Sequence, residues 1–238
     1  MKSIRVLGAL AVVTLTGTIV LGLGLPATYE QRTYSRMLAL HPPIAWTAYV
    51  AFGVTAAASI LYLWPRTRRA RFDAIAAASA ELGVLFTGLT LITGSLWGRP
   101  TWGVWWTWDA RLTTTALMFV IYLGYLAQRG LADTAAARAK RSAIIAVMAV
   151  IVVPINHMSV EWWRTLHQGR SLASLNPGSK LDGDFIAAML LGFLAMTLTY
   201  VWLLAMRTRV IEADTDLEED ALADAIAARR REAEVVTS

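Results

Sequence analysis

Residues 97–111 read WGRPTWGVWWTWDAR. The stretch holds five of the chain's ten tryptophans, at 97, 102, 105, 106 and 108, together with one carboxylate, Asp109, and two cations, Arg99 and Arg111. Apolar runs flank it on both sides, so it falls where a membrane meets water, where an indole finds an apolar bed for its ring and a wet partner for its N–H. An aromatic belt is one reading. Belt residues, however, scatter over many helix ends. Five in one short loop, with Pro100 and two glycines setting the backbone, make a broad aromatic surface that suits a planar, apolar ligand.

The flanking runs belong to a series. Of the 238 residues 56% are hydrophobic and 16% charged, against about 25% charged in soluble proteins. The apolar residues come in runs too long for a soluble core, and six spans are predicted, over about 6–25, 43–63, 74–96, 112–127, 142–158 and 185–206. The expected fold class is an all-α integral membrane protein, with residues 1–211 as one six-helix transmembrane unit. A cleaved signal peptide is the alternative for the first run. Its length, about twenty residues against a signal core of roughly 7–15, favours a retained span. Pro42 and Pro43 suit a helix start, where a missing N–H costs nothing. Pro154 interrupts the fifth run, and neighbouring helices can satisfy the carbonyl it frees.

Charge sets the expected orientation. The tail 212–238 carries nine acids and three arginines; the remainder carries nineteen cations and eight acids. Twelve of those cations lie beside the membrane on the side of the termini, in the N-terminal segment, the loops around 66–71 and 129–141, and at 207–209. Seven lie on the other side, in longer loops. Basic residues in such loops reflect topology before nucleic acid, and place both termini in the cytoplasm. The loops with His41, the tryptophans and His167 then face outward together, into the periplasm of a bacterium. The tail reads as a short solvated helix, acids early and arginines late to suit its dipole.

The chemistry rests on three histidines, His41, His157 and His167, all at or near the outward ends of spans. With no cysteine, disulfides, thiolate–metal sites and thioether links of the chain's own are excluded. A haem buried mid-bundle needs histidines inside the spans, and none is there. A lone histidine is most simply a satisfied polar residue. Two of them, beside Trp46 and beside Trp162–Trp163, facing a third tryptophan-rich loop, also fit axial ligation of haem iron. Arg99, Arg111, Arg164 and Arg170 can pair with haem propionates, although outer-loop arginines also bind lipid phosphate. Glu81 lies within the third span, about two turns from its cytoplasmic end, and an acid there is a functional candidate. Phosphate-binding glycine loops and HExxH are absent from the sequence, and Thr93-Gly94-Ser95 has no histidine or lysine placed to activate it.

GSLWGRPTWGVWWTWDARLT resembles the WWD signature of haem-handling membrane proteins, with its core at Trp102–Asp109; HPPIAW at 41–46 and SVEWWRTLHQG at 159–169 resemble two further segments of one such family, CcmC or haem exporter protein C, of cytochrome c maturation system I. The likeness covers nearly the whole chain. It implies that His41 and His167 are the two axial ligands of haem b held as cargo. It also implies that Trp97, Trp102, Trp105, Trp106, Trp108 and Asp109 hold the haem edge. The implied task is delivery of periplasmic haem to the haem chaperone CcmE at the bacterial inner membrane, with the small protein CcmD and the ATP-driven CcmA/CcmB complex, and without catalysis by this chain. His157 receives no ligand role. A second proline at Pro43 and the acidic tail depart from the pattern. The competing readings are a cytochrome c synthetase sharing the WWD loop, a transporter subunit without haem, and a membrane oxidoreductase.

Overall fold

A computed structural model describes residues 2–27, 33–131, 134–167 and 183–237. Its elements in order are α1 (Lys2–Gly24), a 3-10 turn (Thr33–Ala39), α2 (His41–Leu63), α3 (Ala70–Trp102), α4 (Ala110–Gly130), α5 (Ala135–Ala149), α6 (Val152–Trp162) and α7 (Gly183–Thr237). Among the described residues six helical stretches are long and apolar enough to cross a membrane, α5 and α6 together counting as one. The chain is thus an all-helical protein built like an integral membrane protein.

Three boundaries differ from those read in the sequence. α3 does not stop at 96 but continues to Trp102, so the first six residues of the tryptophan stretch are helical. Pro100 removes one N–H near the helix end, where little depends on it. The Thr101 hydroxyl donates to the Trp97 carbonyl at 2.8 Å, and Gly103, at φ 82°, closes the helix in the left-handed conformation glycine adopts freely. The fifth span is two helices: the Pro154 ring is incompatible with an α-helical bond to the Val150 carbonyl, and the break falls at 150–151, where the Val153 N–H takes that carbonyl at 3.0 Å instead. The tail is not a separate short helix, because α7 runs unbroken through it. Arg170, and the rest of the loop at 168–182, lie outside the described residues.

Small residues let the central helices approach closely, as membrane helices require. α2 buries Ala48, Ala51, Thr55 and Ala58, and α3, its principal neighbour, buries Ala76, Ser79, Ala80 and Gly83. A β-carbon on Gly83 would strike the Phe52 ring, and that ring is itself stacked on Tyr122 of α4 at 3.6 Å. The Ser79 hydroxyl bonds the Ala51 carbonyl and the Tyr200 hydroxyl, each at 2.7 Å, tying α2, α3 and α7 at one point. α1 lies mainly against α7, where Gly8 receives the Trp202 indole.

Paired charges mark one end of the bundle. Arg129 grips Asp73 with two bonds of 2.7 and 2.8 Å, and Arg207 grips Glu81 at 2.5 and 3.0 Å. Glu81 is therefore an ion-pair partner joining α3 to α7. The opposite end gathers the start of α2, the end of α3, the start of α4 and the end of α6 around one cavity.

Candidate functional site

The cavity has a volume of about 390 Å³, within the roughly 300–1,000 Å³ typical of small-molecule and cofactor sites. Its walls include His41 and Trp46 from α2, Trp97 and Trp102 from α3, Arg111 from α4, His157 from α6, Phe193 from α7, and His167 beyond α6. His41 and His167, 126 positions apart in sequence, thus share one chamber.

Each of these two rings is tethered at Nδ1. His41 lies 2.8 Å from Thr93 Oγ1. The Thr93 hydroxyl also lies 2.7 Å from the Leu89 carbonyl; with its proton given there, it accepts from His41, whose Nδ1 then carries the hydrogen. His167 Nδ1 lies 3.1 Å from Asp109 Oδ1, and a carboxylate can only accept, so this Nδ1 also carries the hydrogen. Both rings therefore present a bare Nε2 lone pair, the atom a metal takes when the other nitrogen is occupied.

Asp109 organises the outer wall. As N-cap of α4 it accepts from the N–H groups of Arg111 at 2.9 Å and Leu112 at 3.4 Å. Its other oxygen accepts from the Leu166 N–H at 2.8 Å and from the Thr165 hydroxyl, and that hydroxyl oxygen in turn accepts from the His167 N–H at 3.1 Å. One buried carboxylate thus starts a helix and clamps the 165–167 segment beside it. Burial alone would raise its pKa; these donors outweigh that and hold the carboxyl below its usual range. Burial pushes the His167 imidazole below its ordinary 6.5, with Arg111 adding to the fall and Asp109 opposing it. The pair at neutral pH is a neutral imidazole on an ionised carboxylate.

The aromatic lining is specific. Trp97 meets His41 edge-on with centroids 5.6 Å apart, and Trp102 meets His167 at 4.8 Å. A β-carbon on Gly94 would lie 3.1 Å from His41 Cε1, and one on Gly98 3.1 Å from the Trp102 ring, so two glycines on successive turns of α3 make room for the pocket walls. Beneath the cavity Asn156 is fully buried: its amide donates to the Thr114 and Thr115 hydroxyls at 2.7 and 2.8 Å, and its carbonyl accepts from the Tyr49 hydroxyl. Arg111 donates to the His157 carbonyl at 3.0 Å, while its Nε is buried without a partner among protein atoms.

Of the residues singled out in the sequence, the cavity lining includes His41, His167, Trp97 and Trp102, and also Trp46, Arg111 and His157, the last of which was given no ligand role. It does not include Trp105, Trp106, Trp108 or Asp109. Trp105 and Trp108 are exposed, Trp108 at 83%, and Trp106 packs edge-on against Trp108 at 5.7 Å. Thr165, Tyr49 and Asn156 carry no pattern in the sequence that announces their partners. Thr93, which the sequence leaves without a nearby histidine, receives one from another helix: His41 Nδ1 lies 2.8 Å from its hydroxyl.

A profile of the family described as "CcmC: Heme exporter protein C" matches residues 1–222. The chain belongs to the CcmC family. A CcmC relative from Haemophilus influenzae, "Heme exporter protein C", is 39% identical over 202 residues, covering 84% of this chain and 81% of its own. One of the same name from Bradyrhizobium diazoefficiens is 38% identical over 216 residues, 87% of this chain and 80% of its own. A "Putative cytochrome c biosynthesis ccmC-like mitochondrial protein" from Arabidopsis thaliana is 34% identical over 194 residues, 81% of this chain and 72% of its own. The relatives of the CcmC family thus extend along most of the chain, across both histidine segments and the tryptophan stretch between them.

Proposed function

We propose that this chain handles haem for cytochrome c maturation, binding haem b as cargo between His41 and His167 and passing it to the chaperone CcmE. Family membership and the relatives' names support the first part. The observation that carries the second is the pair of imidazoles on one aromatic-walled cavity, each with Nδ1 tied down and Nε2 bare. The donor set fits the cargo. Two neutral imidazoles suit axial ligation, Trp97 and Trp102 suit a flat ring, and the orphaned Nε of Arg111 suits a propionate. Among the described residues no three His, Asp or Glu side chains cluster to hold a bare metal ion, so a porphyrin, which supplies four ligands of its own, suits the cavity better.

In this reading the protein works by position and catalyses no reaction of its own. The chain spans the bacterial inner membrane with both termini in the cytoplasm, as the basic loops argue, and the cavity faces the periplasm. Exposed Trp105 and Trp108, on the stretch that joins α3 to α4, offer an apolar surface on which the chaperone can rest. CcmD and the CcmA/CcmB transporter are the remaining partners. The test is the visible spectrum of detergent-purified protein beside His41→Ala and His167→Ala. A Soret band that each substitution weakens or shifts is expected. A wild-type protein without a Soret band, in cells replete with haem, would overturn the reading.

A further inference from the structure

We propose that the two axial positions are unequal: His167 is the strong, retained ligand, and His41 is the weak one that yields its place when haem is passed on. Asp109 and Thr93 are the positioning residues that set the difference. The inference rests on the haem-binding reading above and goes beyond it by assigning an order to the two histidines.

The partners of the two Nδ1 atoms differ in charge. Asp109 accepts from the N–H groups of Arg111, Leu112 and Leu166, from the Thr165 hydroxyl and from His167. Five donors on two oxygens leave no room for a carboxyl proton. An imidazole N–H held by a full negative charge pushes electron density to its far nitrogen and makes that nitrogen a better donor to a metal. His41 has no such partner: Thr93 Oγ1 is neutral and is itself engaged as a donor to Leu89.

The mechanical settings differ in the same direction. His167 sits on a segment tied to Asp109 through Thr165, through the Leu166 N–H and through its own ring. The His41 ring has a single hydrogen bond, to a neutral oxygen, beside its edge contact with Trp97. Handing haem on is then a ligand exchange without electron transfer. The iron–Nε2 bond to His41 would break with the lone pair staying on that imidazole, and a lone pair from the recipient would take the vacated position, with no change in the iron's oxidation state.

The experiment uses the full chain in detergent, loaded with haem, as wild type, His41→Gly and His167→Gly. The iron–histidine stretch of each ferrous variant is read by resonance Raman, and haem affinity by titration. The variant that keeps His167 is expected to show the higher frequency and to hold haem about 10- to 100-fold more tightly. Asp109→Asn in that variant lowers the frequency and Asp109→Glu restores part of it. Thr93→Val alters only the variant that keeps His41, an arm that remains informative if Asp109 variants fail to fold. Equal frequencies, the reverse order, or indifference to both Asp109→Asn and Thr93→Val would overturn the inference while leaving haem binding intact. A wild type that takes up no haem would overturn the reading beneath it as well.

Discussion

At the scale of single residues, much of the site depends on atoms that are missing. Gly94 leaves His41 the space a β-carbon would take, at 3.1 Å from the ring. A Gly94→Val substitution is expected to displace His41, weakening the haem spectrum while leaving helical content, read by circular dichroism, unchanged. Loss of both together would mean that Gly94 matters for the helix and not for the ring. The histidines themselves were legible in the sequence, because their aromatic surroundings set them apart from a bland polar residue. Their tethers were not. Asp109 ahead of an apolar run announces a helix cap, but nothing in the sequence says that its second oxygen reaches a segment 56 residues away. Thr93 has no histidine near it in sequence; in the fold it bonds back to its own helix and also meets His41.

At the scale of elements, apolar runs gave away the six spans, since length and composition alone decide whether a helix can cross a bilayer. The ends were less legible. The third span was expected to end at 96, with Pro100 in the loop beyond it, but the helix runs on through Pro100; Pro154 was expected to interrupt the fifth, and there the helix does divide. The difference is position: Pro100 falls in a last turn, Pro154 within a longer run. Below the α5–α6 break, Asn156 joins α6 to α2 and α4. Asn156→Leu leaves the half-buried Tyr49 hydroxyl without its acceptor, at an expected cost of about 1 kcal/mol in thermal unfolding. Adding Tyr49→Phe removes the stranded hydroxyl and is expected to recover part of the loss. At the other end of the bundle, Asp73→Asn strands Arg129, whose side chain is 11% exposed, for about 3–5 kcal/mol. Glu212→Gln breaks only the exposed pair with Arg71, 3.7 Å long, and is expected to cost less than about 1 kcal/mol. Equal costs for the two would mean that neither pair is shielded as its exposure indicates.

At the scale of the whole molecule, charges and chemistry are sorted to opposite ends. The ion pairs Arg129–Asp73 and Arg207–Glu81 lie at one, the cavity at the other. If the basic end faces the cytoplasm, a phosphatase reporter fused after Trp106 is expected to be active and one fused after Arg68 inactive; the reverse result would invert the orientation. The acidic stretch looked like a free tail in the sequence because its composition changes abruptly at Glu212. Composition does not register whether a helix stops, and α7 continues from apolar to acidic residues without a joint. Its 55 residues, at ~1.5 Å each, make a rod roughly 80 Å long. Phe193, on the cavity wall, and Glu218, which meets Arg138, are points on that one rod. One continuous helix therefore links the wall of the chamber to the acidic end, so the two share a single backbone and not merely a chain.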